Sequence, residues 1–319
     1  MHASRTRSYR EAVSDPRKHH FVAQVYQRGF ARRKGKSFQV RVLNKRSGEG
    51  GIRNVRDAFS RRDWNTIKTE EGLKEFGVER VLAEHIDAQA APALEATREH
   101  QFPLSRPDRE ALAMFMSAQL SRGRAVREGL AESIVEVNRL LLRLGAVNYS
   151  DERLREITGQ EPSAELREMM ANSEKYVEIQ PTNAMLLQAM FSSVQEIAEM
   201  IDRRTWTLVR FDSPCLFTGE HPFVHINPSG ESLGFGVATA EQLYLPTSPT
   251  QAVVLSHPWT SWPEARVKGT MELATRLNWA MLSHPSNDEL LLHPDAPSHP
   301  LPSPPLLARN SVWPWGEER

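Results

Sequence analysis

The sequence predicts an α+β fold. An N-terminal β-hairpin joins C-terminal strands in one sheet, beside a central helical block with one long helix. Three observations carry this reading. Alternating apolar residues mark strands near the N-terminus. Apolar residues at spacings of three and four fill the middle. Short apolar runs cut by Pro, Gly and Ser return after Arg204. A lone two-stranded hairpin is marginal in water, so the N-terminal hairpin is expected to borrow strands from the far end of the chain.

Residues 1–18 are polar and read as a flexible N-terminus. Val22, Val25, Tyr26 and Phe30 share one face of a short helix over 21–31. In 37–44, Phe38, Val40 and Val42 alternate with polar residues, as in a half-buried strand. A Gly-rich turn over 45–51 leads to a return strand over 52–58. Leu73, Phe76, Val81, Leu82, Ile86, Ala90 and Leu94 then recur at helical spacing. Ser105-Arg106-Pro107-Asp108 has the pattern of a capped helix start, with Pro in the first turn and an acidic residue three positions after the cap. The apolar run from Leu112 through Leu130, Ile134, Val137 and Leu141 to Leu144 predicts one long helix, kinked near Gly123 or Gly129. Shorter helices fit 151–158, 163–175 and 183–204. Strands follow over 206–211, 215–218, 242–245 and 252–256, with a last helix over 267–281. Residues 294–314 hold 7 of the 21 prolines, so 291–319 reads as a Pro-rich tail. The expected unit is a single domain over 19–290: helix and hairpin to 70, helical block over 71–204, β-region with the last helix over 205–283.

Composition bounds the function. No apolar run approaches 18 residues, so no membrane span is expected. The first residues are polar and form no secretory signal. One cysteine, Cys215, excludes an internal disulfide and a Cys-based zinc site. These features give a soluble, cytoplasmic expectation. The 319 residues carry zero formal charge, but unevenly. Residues 1–70 hold 18 Lys+Arg against 6 Asp+Glu, whereas 71–205 and 206–319 carry net charges of −7 and −5. Of the basic residues 32 are Arg, which fits phosphate contacts and a GC-rich genome equally.

Five polar constellations stand out. On a helix, His20, Gln24 and Arg28 would stack on one face, as a ligand site or as a solvated surface. Arg80 and His85 have the spacing of the catalytic pair of metal-independent paired-helix (HEPN) ribonucleases, but Glu79, Glu84 and Asp87 around them would repel phosphate. Gln119 falls on an apolar stripe, with Arg122, Arg124 and Arg127 just after it; a buried amide needs partners or a polar cavity. Glu220-His221-Pro222 follows a strand end, either as an acid–base pair or as a rigid turn. The segment 245–249 (LPTSP) and Asn278 read first as structure. No phosphate-binding loop or metal motif is present, so no metal ligand is assigned and the cofactor is left unknown.

Several fragments together resemble one family, domain of unknown function 4238. KHHFVAQVYQRGFA resembles its opening. RVLNKRSG with NVRDAFSRRDW resembles its strand and aromatic segment. VERVLAEHIDAQAAPAL resembles its paired-Glu helix, FMSAQLSRGRAVRE its Phe-x3-Gln-x2-Arg helix, FTGEHPFV its Thr-Ser-Asp-x-Pro turn, and YLPTSP its Pro-Leu-Ser-Pro segment. The resemblance runs in order from about residue 18 to 283. It marks His20, Gln24, Arg28, Glu79, Glu84, Gln119, Arg122, Glu220, Pro222 and Asn278 as matching positions. Ala23 stands where Pro is usual, Gly219 where Ser is, Glu220 where Asp is, and Trp64 where Tyr is. No activity comes with the family.

Two functions remain. One is a hydrolase or transferase acting on a phosphate-containing substrate, a nucleic acid or nucleotide. There Glu220 and His20 would be base and acid, and Gln24, Arg28, Gln119, Arg122 and Asn278 would bind substrate. The other is a non-catalytic protein whose polar residues form a structural network and whose basic N-terminal segment binds nucleic acid or an acidic partner.

Overall fold

A computed structural model describes residues 18–68, 74–226, 236–258 and 264–296. The expected flexible segment, bar its last residue, and residues 297–319 of the expected tail lie outside the described residues.

Strand β1 (Lys18–His20) precedes a single helical turn α1 (Gln24–Gln27), which tightens into a 3-10 turn at Arg28–Phe30. Strands β2 (Arg32–Lys34), β3 (Ser37–Asn44), β4 (Gly50–Asn54), β5 (Ser60–Arg62), β6 (Ile67–Lys68) and β7 (Lys74–Glu75) follow. The helical block comprises α2 (Gly77–Val81), a π-helical stretch at Leu82–Asp87, α3 (Ala88–Arg98), α4 (Arg106–Ser121), α5 (Arg124–Asn148), α6 (Asp151–Thr158), α7 (Ala164–Ala171), α8 (Ser173–Tyr176), α9 (Asn183–Phe191) and α10 (Val194–Asp202). Then come β8 (Thr205–Arg210), β9 (Thr218–Gly219), β10 (Val224–Ile226), β11 (Gln242–Ser248), β12 (Gln251–Ser256), β13 (Ala265–Lys268), α11 (Met271–Ser283) and β14 (Glu289–Leu292). Among the described residues no helix is long and apolar enough to cross a membrane.

The fold is α+β, and its two ends do share a sheet. β3 pairs with β2 and β4, and also with β14, which pairs in turn with β9. The other C-terminal strands form a second sheet in the order β10-β11-β12-β8-β13, antiparallel except for β13 against β8. Strands β11 and β12 are buried throughout because both faces are covered. Leu243, Leu245, Val253 and Leu255 join the core that includes Leu94, Leu112 and Phe115 of the helical block. Tyr244, Ala252 and Val254 join the opposite core with Leu277 and Met281 of α11 and Leu290 of β14. Successive residues of a strand face opposite ways, so one strand serves both cores.

Several expected elements are cut short. The helix expected over 21–31 starts only at Gln24, because Lys18–His20 pairs with Ser60–Arg62. The long helix is two: α4 ends at Ser121, and Gly123 is the extended N-cap of α5. Gly123 lies under the His221 ring, where a Cβ would sit 3.3 Å from Nδ1. The helix expected over 183–204 divides at Ser192–Ser193, and that over 163–175 at Asn172. The start expected at 267 belongs instead to β13; Thr270 caps α11 by accepting from Leu273 N. The apolar stripe expected to be buried along 112–144 is buried in α4, but Val137, Leu141 and Leu144 of α5 are about half exposed.

Candidate functional site

Two polar clusters meet at Phe21. The inner one is built on the end of α4. Gln119 is fully buried and its amide clamps the chain before α1. Its Nε2 donates to Phe21 O at 2.6 Å, and its Oε1 accepts from Ala23 N at 3.3 Å. The same oxygen accepts from Arg122 Nε at 3.0 Å and Nη2 at 2.7 Å. Arg122 is 1% exposed. Its Nη1 donates to Asp87 Oδ2 at 3.2 Å, while Nη2 lies 2.9 Å from Oδ1 as an ion pair. Its guanidinium also lies 5.6 Å from the Phe115 ring centroid.

The π-helical stretch explains why an acidic residue is there. It adds about one residue to a turn, so positions eight apart fall nearly in line, as positions seven apart do in an α-helix. Glu79 and Asp87 therefore both turn toward the inner cluster, while Glu84, the second matching Glu, is exposed. Glu79 accepts from Asn65 Nδ2 at 2.7 Å, and burial raises its carboxyl pKa. Asn65 N donates to the buried His19 Nδ1 at 2.7 Å. His20 Nε2 donates to Val55 O at 3.3 Å and its Nδ1 accepts from Gln24 at 3.5 Å. Burial holds its pKa down, against backbone contacts that raise it. The His20–Gln24 contact forms although His20 is on a strand, not on the helix that would have aligned it with Arg28.

The outer cluster is a cleft of about 480 Å³ whose lining includes Phe21, Phe59, Arg46, Arg53, Arg61, Arg124, Glu220, Asp288 and Glu289. Glu220 is its buried carboxylate, 5% exposed. One oxygen accepts from Arg124 Nε at 2.9 Å, the other from Glu289 N at 3.2 Å. Burial raises its pKa, and the Arg124 charge opposes the shift. Arg124 also donates to Asp288 at 2.7 Å. Arg53 pairs with Glu289 at 3.0 Å, Arg61 with Glu128 at 3.7 Å, and Arg46 with Asp288 at 3.9 Å. Arg61 and Arg127 both lie over Trp64, at 4.9 and 4.3 Å from its centroid.

The expected site residues are thus divided. His20, Gln24, Gln119 and Arg122 come together in the inner cluster, and Glu220 lines the cleft on the other side of Phe21. Arg28 is exposed and lies 5.2 Å from the Phe38 centroid, along a separate groove with Val25 and Pro92. Asn278 is elsewhere again: it accepts from Phe217 N at 3.3 Å and donates to Cys215 O at 2.7 Å, tying α11 to the approach of β9. Arg80 and His85 both face solvent. His221 does not join Glu220; it turns inward and stacks on His284 at 4.5 Å. Sequence reasoning missed Asp87, Asn65 and His19 in the inner cluster and Arg53, Arg61, Asp288 and Glu289 in the cleft. The Asp87 signal was its eight-residue distance from Glu79, which faces one way only across a π stretch. The cleft residues come from both chain ends and carry no joint pattern. Among the described residues no group of three or more His, Cys, Asp or Glu side chains is placed to hold a metal ion.

An α+β fold with two five-stranded sheets, two small two-stranded ones, a helical block and a polar cleft defines a broad class. A match to the family described as protein of unknown function (DUF4238) spans residues 18–298. The chain belongs to that family. No curated protein and no solved structure matches the chain significantly.

Proposed function

We propose that the cleft around Glu220 is the working site of a hydrolase or transferase acting on a phosphate-containing substrate, a nucleotide or a nucleic acid. The observation that supports this is a buried carboxyl of raised pKa on the wall of a cleft rimmed by arginines. A carboxyl whose pKa is raised holds and releases a proton nearer neutral pH than a solvated one, as general acid–base work requires. Arg53 and Arg61 are partly exposed and would exchange their carboxylate partners for phosphate oxygens, with forked hydrogen bonds. Gln119 and Arg122 would act at one remove, fixing the segment 21–23 whose Phe21 forms part of the wall. His20 would support that wall with Gln24.

The non-catalytic reading is favoured by a different observation: Gln119 and Arg122 are buried and hydrogen-bonded to the protein itself. The two readings separate experimentally. Glu220→Gln and Arg53→Ala/Arg61→Ala are to be assayed on RNA, DNA and nucleotides, with and without divalent metal, alongside thermal unfolding. The expected outcome is a loss of about 10²- to 10⁴-fold in turnover for Glu220→Gln with little change in melting temperature. A wild-type protein inert on every substrate, with Glu220→Gln merely unstable, would leave the structural network as the function of these residues.

A further inference from the structure

Arg124 divides its guanidinium between two carboxylates of the cleft. Its Nε donates to Glu220 at 2.9 Å and its Nη2 to Asp288 at 2.7 Å, while Nη1 meets no protein acceptor among the described residues. Arg53 differs: both of its Nη atoms donate to Glu289, the two-pronged geometry of a settled pair. The Arg124 side chain is 22% exposed and lies on the wall of the cleft. An anion entering the cleft can therefore take Nη1 outright and compete for Nη2.

The two carboxylates answer that competition differently. The Asp288 side chain is 38% exposed, and a second cation, Arg46, already lies 3.9 Å away. It can let Arg124 go and stay charged. Glu220 cannot. Its side chain is 6% exposed, one oxygen is fixed by Glu289 N at 3.2 Å, and Asp288 and Glu289 add like charge beside it. Burial and those two carboxylates raise its pKa, and Arg124 is the cation that opposes them. When that cation is shared with an anion, the buried carboxylate is relieved by taking a proton. The cleft is also lined by Arg46, Arg53, Arg61 and Asp57, the last held low by Lys18, and by no histidine among the described residues.

We propose that a bound phosphoryl group takes over Arg124, and that Glu220 then holds a proton from solvent and enters the complex as the general acid. The proposal rests on the reading of the cleft as a phosphate site. By linkage, anion and proton favour one another. The anion binds the acid form of Glu220 better, and its binding raises the affinity of Glu220 for a proton by the same factor. Anion affinity is then highest where Glu220 is already protonated. It falls as pH rises through the range in which free Glu220 ionises, by up to about tenfold per pH unit.

Inorganic sulfate tests this on the full chain, because it stays a dianion across the range and brings no titration of its own. Calorimetry between about pH 5 and 8, in buffers of different ionisation enthalpy, gives affinity and proton uptake together. The wild type is expected to lose about tenfold or more in affinity across that range and to take up part of a proton on binding. Glu220→Gln should bind at the upper pH as tightly as the wild type at the lower, with no proton uptake. Arg124→Gln should bind about tenfold more weakly than the wild type at the lower pH and lose the uptake. A wild type that binds sulfate with one affinity at every pH and no proton uptake overturns the proposal and leaves the cleft an anion site. Uptake that persists in Glu220→Gln overturns it by assigning the proton to another group. A wild type that binds no sulfate at any pH overturns the phosphate reading and this proposal together.

Discussion

Arg122 shows what a buried charge demands. Its guanidinium has Gln119 on one side and Asp87 on the other, and neither is open water. Arg122→Ala would leave Asp87 without its donor and the Gln119 oxygen with Ala23 N alone. The expected loss is roughly 3–5 kcal/mol in urea unfolding. Arg122→Met/Asp87→Leu removes both charges together and is expected to recover a large part of that loss, since a paired charge in the interior gains little over apolar packing. Two histidines impose a pH dependence. Burial holds His221 down to about 3, and His284, stacked on it, down to about 4, both from 6.5. Between those values the unfolded chain binds protons that the folded chain refuses. Stability is therefore complete above about pH 6.5 and is lost as pH falls toward the folded values. His284→Gln is expected to flatten the melting temperature between pH 6.5 and 4. A profile unchanged by that substitution would assign the acid sensitivity to other groups.

At the scale of elements, local chemistry is what the sequence made legible. Ser105 accepts from Asp108 N at 3.3 Å, and Pro107 sits in the first turn, because a cap needs only neighbours along the chain. Ser105→Ala is expected to cost about 1 kcal/mol, read from the shift in urea midpoint. Strand β3 was legible for the same reason: its alternation of Phe38, Val40 and Val42 is set by a single buried face. The π stretch at Leu82–Asp87 was not legible, because its composition is that of any helix. The break at Gly123 was half legible. Glycine marked the place, but the group that crowds any side chain there, the His221 ring, is nearly a hundred positions away in sequence. Another distant partner makes Gly219 obligatory: a Cβ there would lie 2.5 Å from the Asn287 side chain. Asn287 accepts from His221 N at 2.6 Å and donates to Met281 O at 2.9 Å, so it has no room to retreat. Gly219→Ala is expected to cost roughly 1–3 kcal/mol, measured in the same way.

At the scale of the whole molecule, the charge asymmetry and the shared sheet are one arrangement. The basic N-terminal segment lies against acidic residues from later in the chain: Arg32 on Asp295, Arg53 on Glu289, Arg61 on Glu128. These pairs are largely exposed and worth about 0–1 kcal/mol each, so they do not hold the ends together. The strand pairing does. Leu290 and Leu291 of β14 are fully buried between β3 and β9, and Val40 and Val42 of β3 are buried beside them. That two ends would meet was legible from the instability of an isolated hairpin; which C-terminal strands would receive it was not, because Glu289–Leu292 is a four-residue run after a helix. Of the candidate site, the ordered fragments marked His20, Gln24, Gln119, Arg122 and Glu220, and left unmarked the exposed arginines and carboxylates that converge on the cleft from both ends. The sheet sets a firm expectation for unfolding. If β3 depends on β14, the hairpin cannot open while the C-terminal sheet stays closed. Native-state hydrogen exchange should then give the amides of Val40, Val42, Leu290 and Leu291 one common opening free energy that falls together with added denaturant, and 0.5 M salt should not separate them. Hairpin amides that exchange through a smaller opening, with Leu290 and Leu291 still protected, would show that the N-terminal segment is docked by its ion pairs and not built into the sheet.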